Sequence, residues 1–143
     1  MSPHPNLVTN AGLRQIETRV RELETELRAV REARDSAALA RVNRDRRYWA
    51  QRRASARLVE PRPDPRAIRF GVRATVRFDD GREQSFCLVG EDEADPKRGL
   101  VSWVAPFAAA LTGKTLGDRV DVLGSAAEIV ALEPSGSRMK SDP

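Results

Sequence analysis

Several acidic residues are spaced so that they could do chemistry. Glu91, Asp92, Glu93 and Asp95 crowd one short stretch and could bind a cation. Glu32 and Asp35 stand three apart near a break in a helical pattern. Such a pair could offer hard oxygen ligands to Mg²⁺. Arg31 and Arg34 lie beside it, which favours plain solvated charge at a helix end. A dense basic run follows: Arg41, Arg44, Arg46, Arg47, Arg52, Arg53 and Arg57, with Tyr48 and Trp49 inside it. Guanidinium groups beside aromatic rings can hold phosphates and stack on bases, so this run could touch RNA or an acidic protein surface. The plainer alternative is a solvated helix with Trp49 buried in a helix seam.

Other candidate sites fall away on inspection. Gly113-Lys114-Thr115 is not a phosphate-binding loop, because no glycine stands where that motif needs its first and a helix precedes it. His4 is the single histidine and lies in an N-terminal stretch, residues 1–9, that its two prolines should leave loose, which argues against a histidine-based active site. The single cysteine, Cys87, excludes an internal disulfide and a multi-cysteine metal site. It sits in an apolar alternating run and reads as a buried thiol. The chain is therefore expected to need no cofactor.

The elements that must position these residues follow from charge and periodicity. Residues 1–66 hold 15 arginines, no lysine and 9 carboxylates, whereas residues 67–143 hold 10 basic and 12 acidic side chains. A basic half beside a mildly acidic one suggests that the basic half meets polyanions or acidic surfaces. The sequence holds no run of 18 apolar residues and no basic-then-apolar start, so a cytoplasmic protein without membrane contact is expected.

Leu13, Ile16, Val20, Leu23, Leu27 and Val30 recur at alternating spacings of three and four, the stripe of a helix packed on another helix. Thr9 or Asn10 could cap it. The pattern breaks near Arg34-Asp35-Ser36. A second helical stretch follows, with a weaker stripe of Leu39, Val42, Trp49 and Ala56. A short link between helices of similar length makes an antiparallel hairpin. Left unpaired, the first stripe could instead build a homodimeric coiled coil. Glu60 to Arg66 carries three alternating prolines and cannot continue a helix.

Beyond it, Val72–Phe78 and Gln84–Val89 alternate around Asp79-Asp80-Gly81, a β-hairpin signal. Leu100–Val104, Val120–Leu123 and Glu128–Leu132 read as strands, and Pro106 opens a short helix through Leu111.

At this point the residues resemble a known family. Leu88-Val-Gly-Glu-Asp-Glu-Ala-Asp95, Leu100-Val-Ser102, Ala105-Pro106, Ala110-Leu-Thr-Gly-Lys114 and Gly117-Asp118, in that order, resemble the C-terminal domain of the Gre transcript cleavage factors. Leu7–Leu13 and Val42–Val59 resemble the two ends of that family's helical hairpin. The resemblance fails at the tip. Where the family carries an acidic motif like GDL.ENAEY, this chain has Ser36-Ala-Ala-Leu-Ala-Arg41. The arms also look about two turns shorter, roughly 11 Å.

The resemblance implies an α+β protein: an N-terminal antiparallel α-helical coiled-coil hairpin, then an FKBP-like β-sheet domain with one short helix. The expected layout is a hairpin over residues 1–60 with helices at about 10–34 and 37–59. A proline-rich linker over 61–67, a docking domain over 68–133 and a disordered tail over 134–143 complete it.

The implied partner is bacterial RNA polymerase, gripped at the β′ rim of its secondary channel. The implied docking residues are the acids Asp92, Glu93 and Asp95 together with Ser102, Trp103, Val104, Pro106 and Phe107. Arg41, Arg44, Arg47 and Arg52 form a basic patch that could contact RNA. Family members use tip carboxylates to hold a second Mg²⁺ at the polymerase active site. A short arm ending in alanine and arginine lacks those ligands, so docking without cleavage stimulation is expected of a monomer. A rival reading makes Glu32 and Asp35 the tip acids of a true cleavage factor.

Overall fold

The computed structural model describes residues 2–60 and 62–135. Two helices make the hairpin: α1 at Asn10–Ala33 and α2 at Ser36–Ser55. Thr9 caps α1, its hydroxyl oxygen accepting the Gly12 amide at 3.0 Å. Arg34 ends α1 in the left-handed conformation at φ 57°, and the Asp35 carboxylate caps α2 by accepting the Ala38 amide at 3.1 Å. So tight a link leaves only an antiparallel return. The seam is built on buried Leu23, Leu27 and Val42, with Val30, Leu39 and Trp49 packed against them. The stripe of α1 is thus covered by the chain's own second helix, which removes the apolar face a homodimeric coiled coil would need.

Both ends of the hairpin depart from expectation. Helix α2 stops at Ser55, short of residue 59, because Ala56 turns extended at ψ 135°. Leu7–Val8 (β1) and Arg57–Leu58 (β2) then pair in parallel. The Arg57 amide donates to the Asn6 carbonyl at 2.8 Å and the Val59 amide to the Val8 carbonyl at 3.0 Å. Backbone pairing offers these residues more than another helical turn would. The same bonds fix the N-terminal stretch that its prolines suggested was loose, and Asn6, Val8 and Thr9 are buried.

The second half is a curled mixed sheet. Val72–Phe78 (β3) and Glu83–Val89 (β4) are antiparallel, Leu100–Ser102 (β5) runs parallel to β4, and Arg119–Val122 (β6) pairs antiparallel with Ser125–Pro134 (β7). The sheet order is β5-β4-β3-β7-β6. Alternation along β3 sends Val72, Ala74, Val76 and Phe78 inward. Ala74, Val76 and Phe78 meet Phe86 and Leu88 of β4, Val120 and Val122 of β6, and Ala127 and Ile129 of β7. The short helix α3, Pro106–Leu111, closes the core with Ala108 and Leu111. Cys87 is buried, and burial pushes its thiol up to about 11.

Two boundaries move. Ala67, the last residue of the expected linker, is buried with Ile68 beside it, and Ile68 exchanges backbone bonds with Lys114 and Gly113 at 2.8 Å each. Strand β7 continues through Glu133 and Pro134, which pair with Arg73 and Val72, where a tail was expected to begin. The rest of that tail, residues 136–143, lies outside the described residues. No helix among the described residues is long and apolar enough to cross a membrane.

Candidate functional site

The acidic stretch after β4 meets basic residues, but those of its own chain. Asp92 accepts from Arg52 Nε at 2.5 Å and from the Tyr48 hydroxyl at 2.5 Å. Arg52 Nη2 donates to Asn6 Oδ1 at 2.8 Å, and Asn6 Nδ2 returns a bond to the Arg52 carbonyl at 2.7 Å. Glu91 stands 3.8 Å from the same Nη2, an ion pair rather than a hydrogen bond. Arg52 is 4% exposed and Asp92 12%. The planar fork of arginine spreads its donors over acceptors that stand apart, whereas a lysine ammonium would offer its donors from a single point. Burial, and next the bond to Asp92, push the Tyr48 phenol up to about 12.

Glu93 reaches the other end of the hairpin. Its Oε1 accepts from the Thr9 hydroxyl at 2.6 Å, while that hydroxyl accepts the Gly12 amide. A carboxylate here faces the N-terminus of α1, where the helix dipole favours negative charge. Two glycines permit the approach. A Cβ on Gly12 would stand 2.6 Å from Glu93 Oε1, and one on Gly90 would collide with the Leu7 carbonyl oxygen. One loop therefore holds α1 through Glu93 and α2 through Asp92, and fixes the direction in which the hairpin leaves the sheet.

This corrects two expectations. Arg52 is not part of an exposed basic patch; it is buried because Asp92, Glu91 and Asn6 surround it. Asp92 and Glu93 are not free loop acids; they anchor the hairpin. Of their partners, Asn6 was not singled out in the sequence, Thr9 was read only as a helix cap, and Tyr48 only as an aromatic within the basic run. Asp95 lies apart from this anchor. It is half-buried and forms an isolated backbone bridge with Leu100 that shapes the turn before β5.

The remaining arginines separate by position. Arg41, Arg44 and Arg47 are exposed on α2. Arg41 pairs with Glu26 of α1 at 3.3 Å, whereas Arg44 and Arg47 have no carboxylate within ion-pair distance among the described residues. Tyr48 adjoins them, 41% exposed, and stacks edge-on against Trp49 at 5.1 Å.

At the apex, Asp35 and Glu32 are both exposed. One oxygen of Asp35 is spent on the α2 cap. Arg31 and Arg34 share this end of the hairpin with the two acids, and Arg41 nearby is paired with Glu26.

Ser102, Trp103, Val104, Pro106 and Phe107 form one continuous bend from β5 into α3. Pro106 is exposed and the others are half-buried. Trp103 meets Phe70 and His4 edge-on, with ring centres 6.4 and 5.8 Å apart. Its Nε1 is shielded and finds no acceptor among the described residues. Phe107 packs edge-on against Phe86 at 5.4 Å. Each aromatic thus packs on the core while part of it stays at the surface.

Comparison with known proteins places the chain. The family profile "Transcription elongation factor, GreA/GreB, C-term" matches residues 63–133. Transcription elongation factor GreA of Paracoccus denitrificans is 30% identical over 148 aligned positions, covering 87% of this chain and 95% of that protein. Transcription elongation factor GreB of Pseudomonas aeruginosa is 31% identical over 94 positions, covering 65% of this chain and 51% of that protein. Among solved structures, GreA factor homolog 1 of Thermus thermophilus aligns at TM-score 0.43 and 17% identity over 91% of this chain and 99% of that one. A GreA/GreB factor from Nitrosomonas europaea aligns at 0.44 and 18%, over 91% and 98%. With near-complete coverage of a GreA at 30% identity, and the C-terminal profile matched across the sheet, the chain belongs to the GreA/GreB family of transcription elongation factors.

Proposed function

We propose that the chain binds bacterial RNA polymerase at the β′ rim of the secondary channel and modulates transcription without stimulating transcript cleavage. It is not an enzyme by itself in this reading. The face from Ser102 to Phe107, with Asp95 beside it, makes the contact. Asp92 and Glu93 act indirectly, by holding the hairpin at a fixed angle to that face.

The apex carries the reading. The cleavage role that the family resemblance implies calls for tip carboxylates free to offer oxygen ligands to Mg²⁺. Here one oxygen of Asp35 caps a helix, and Arg31 and Arg34 stand beside the two acids in the chain. Exposed Arg44 and Arg47, beside Tyr48, are suited to the phosphates of RNA in the channel.

One observation favours the rival reading: Asp35 does stand at the apex and is exposed. Stalled elongation complexes incubated with the chain distinguish the two. No shortening of the transcript is expected. Shortening that disappears in Asp35→Ala and Glu32→Ala variants would make the chain a cleavage factor.

A further inference from the structure

The five-stranded sheet has two free edges, β5 and β6. The bend proposed for polymerase contact continues from β5. Strand β6 lies at the far edge and has no assigned partner.

Its free backbone groups can be identified. Hydrogen-bonded and non-hydrogen-bonded pairs alternate along an antiparallel ladder. The Ile129 amide donates to the Asp118 carbonyl at 3.0 Å, and Val120 and Val122 stand opposite Ala127 and Ser125. Residues 118, 120 and 122 therefore spend their backbone groups on β7. The amides and carbonyls of Arg119 and Asp121 point outward from the sheet.

Exposed leucines bracket this edge. Leu116 is 59% exposed and Leu123 is 89% exposed, the highest values among the exposed large apolar residues. Leu123 also sits at φ 53° in the two-residue turn it shares with Gly124. Glycine, asparagine or aspartate take that conformation readily, and a branched apolar residue does not. The chain thus keeps a strained leucine that buries almost nothing in its own fold.

We propose that β6 pairs antiparallel with β6 of a second copy of the chain, with Val120 opposite Val120. Outward-facing residues must pair with each other, so three central registers exist. One sets Arg119 against Arg119 and another sets Asp121 against Asp121. Like charges directly opposite are unfavourable. The third sets Arg119 against Asp121 twice, once on each side of the two-fold axis. The exposed leucines that bracket each strand then lie at the two ends of the pair. Charge selects this register, and its two-fold axis makes the interface the same patch on both copies.

Arg119 has an internal partner, Asp79 at 2.9 Å, but both side chains are more than half exposed and the pair gives way at little cost. A strand of four residues is far below a standard interface, so the dimer forms only at high concentration. It leaves the β5 edge open and stands whether or not polymerase is the chain's partner.

Sedimentation equilibrium of the full chain, from about 5 to 500 µM, tests this. The weight-average mass is expected to climb from the monomer value towards twice it. Arg119→Asp and Asp121→Arg should each weaken association about tenfold, the scale of lost opposite charges. The double variant carrying both should recover it, since opposite charges again face each other. Leu123→Asn should raise the melting temperature while weakening the dimer. A monomer at every concentration overturns the proposal, and so does association that ignores both charge reversals.

Discussion

The contact between Arg52 and Asp92 should behave as a buried ion pair. The two side chains are 4% and 12% exposed, and their bond is 2.5 Å long. Replacing Arg52 by alanine removes the Asp92 bond, the Asn6 bond and the Glu91 pair together. Stranding one member of a buried pair costs about 3–5 kcal/mol. Asp92 keeps the Tyr48 hydroxyl and slight access to water, so the low end applies, about 3 kcal/mol. Urea unfolding followed by circular dichroism measures it. A double-mutant cycle of Arg52→Ala and Asp92→Ala isolates the pair itself, and a coupling of about 2 kcal/mol or more is expected. A coupling below about 0.5 kcal/mol would match an exposed surface pair and refute the anchor.

Two further outcomes follow from the same loop. Tyr48 is the chain's single tyrosine, so its absorbance titration is clean, and the midpoint should lie near 12. Asp92→Asn should bring it down towards 10, since Asp92 supplies two of the causes that raise it. The folded protein holds the phenolic proton more tightly than the unfolded chain does. The Tyr48 contribution to stability is therefore whole below pH 10 and lost as pH rises through 12. Gly90→Ala should push β1 away from the sheet, because the added methyl meets the Leu7 carbonyl. Hydrogen exchange should then rise at Arg57 and Val59, whose amides bond to Asn6 and Val8 of that segment, while the α1–α2 seam stays protected.

Much of the architecture was legible because periodicity encodes it. The stripe from Ile16 to Leu27 and the alternation in β3 each bury one face, and both are written in short-range spacing. The hairpin's base was illegible for the opposite reason. Whether Ala56 continues a helix depends on Asn6 and Val8, some fifty residues earlier, offering carbonyls to its neighbours. Arg52 looked like six other arginines in its run. Its burial depends on a carboxylate forty residues away in sequence, and charge pattern alone carries no record of that. The bend proposed for docking was readable only through family resemblance, since nothing in the spacing of Ser102 to Phe107 separates a core segment from a half-exposed one.

The most direct test of the central claim is binding of the labelled chain to purified bacterial core polymerase, followed by challenge with a GreA cleavage factor. Saturable binding that GreA displaces, and that Trp103→Ala or Phe107→Ala weakens at least tenfold in a folded variant, is the expected result. No binding at micromolar concentration, or binding that GreA leaves untouched, would contradict secondary-channel docking.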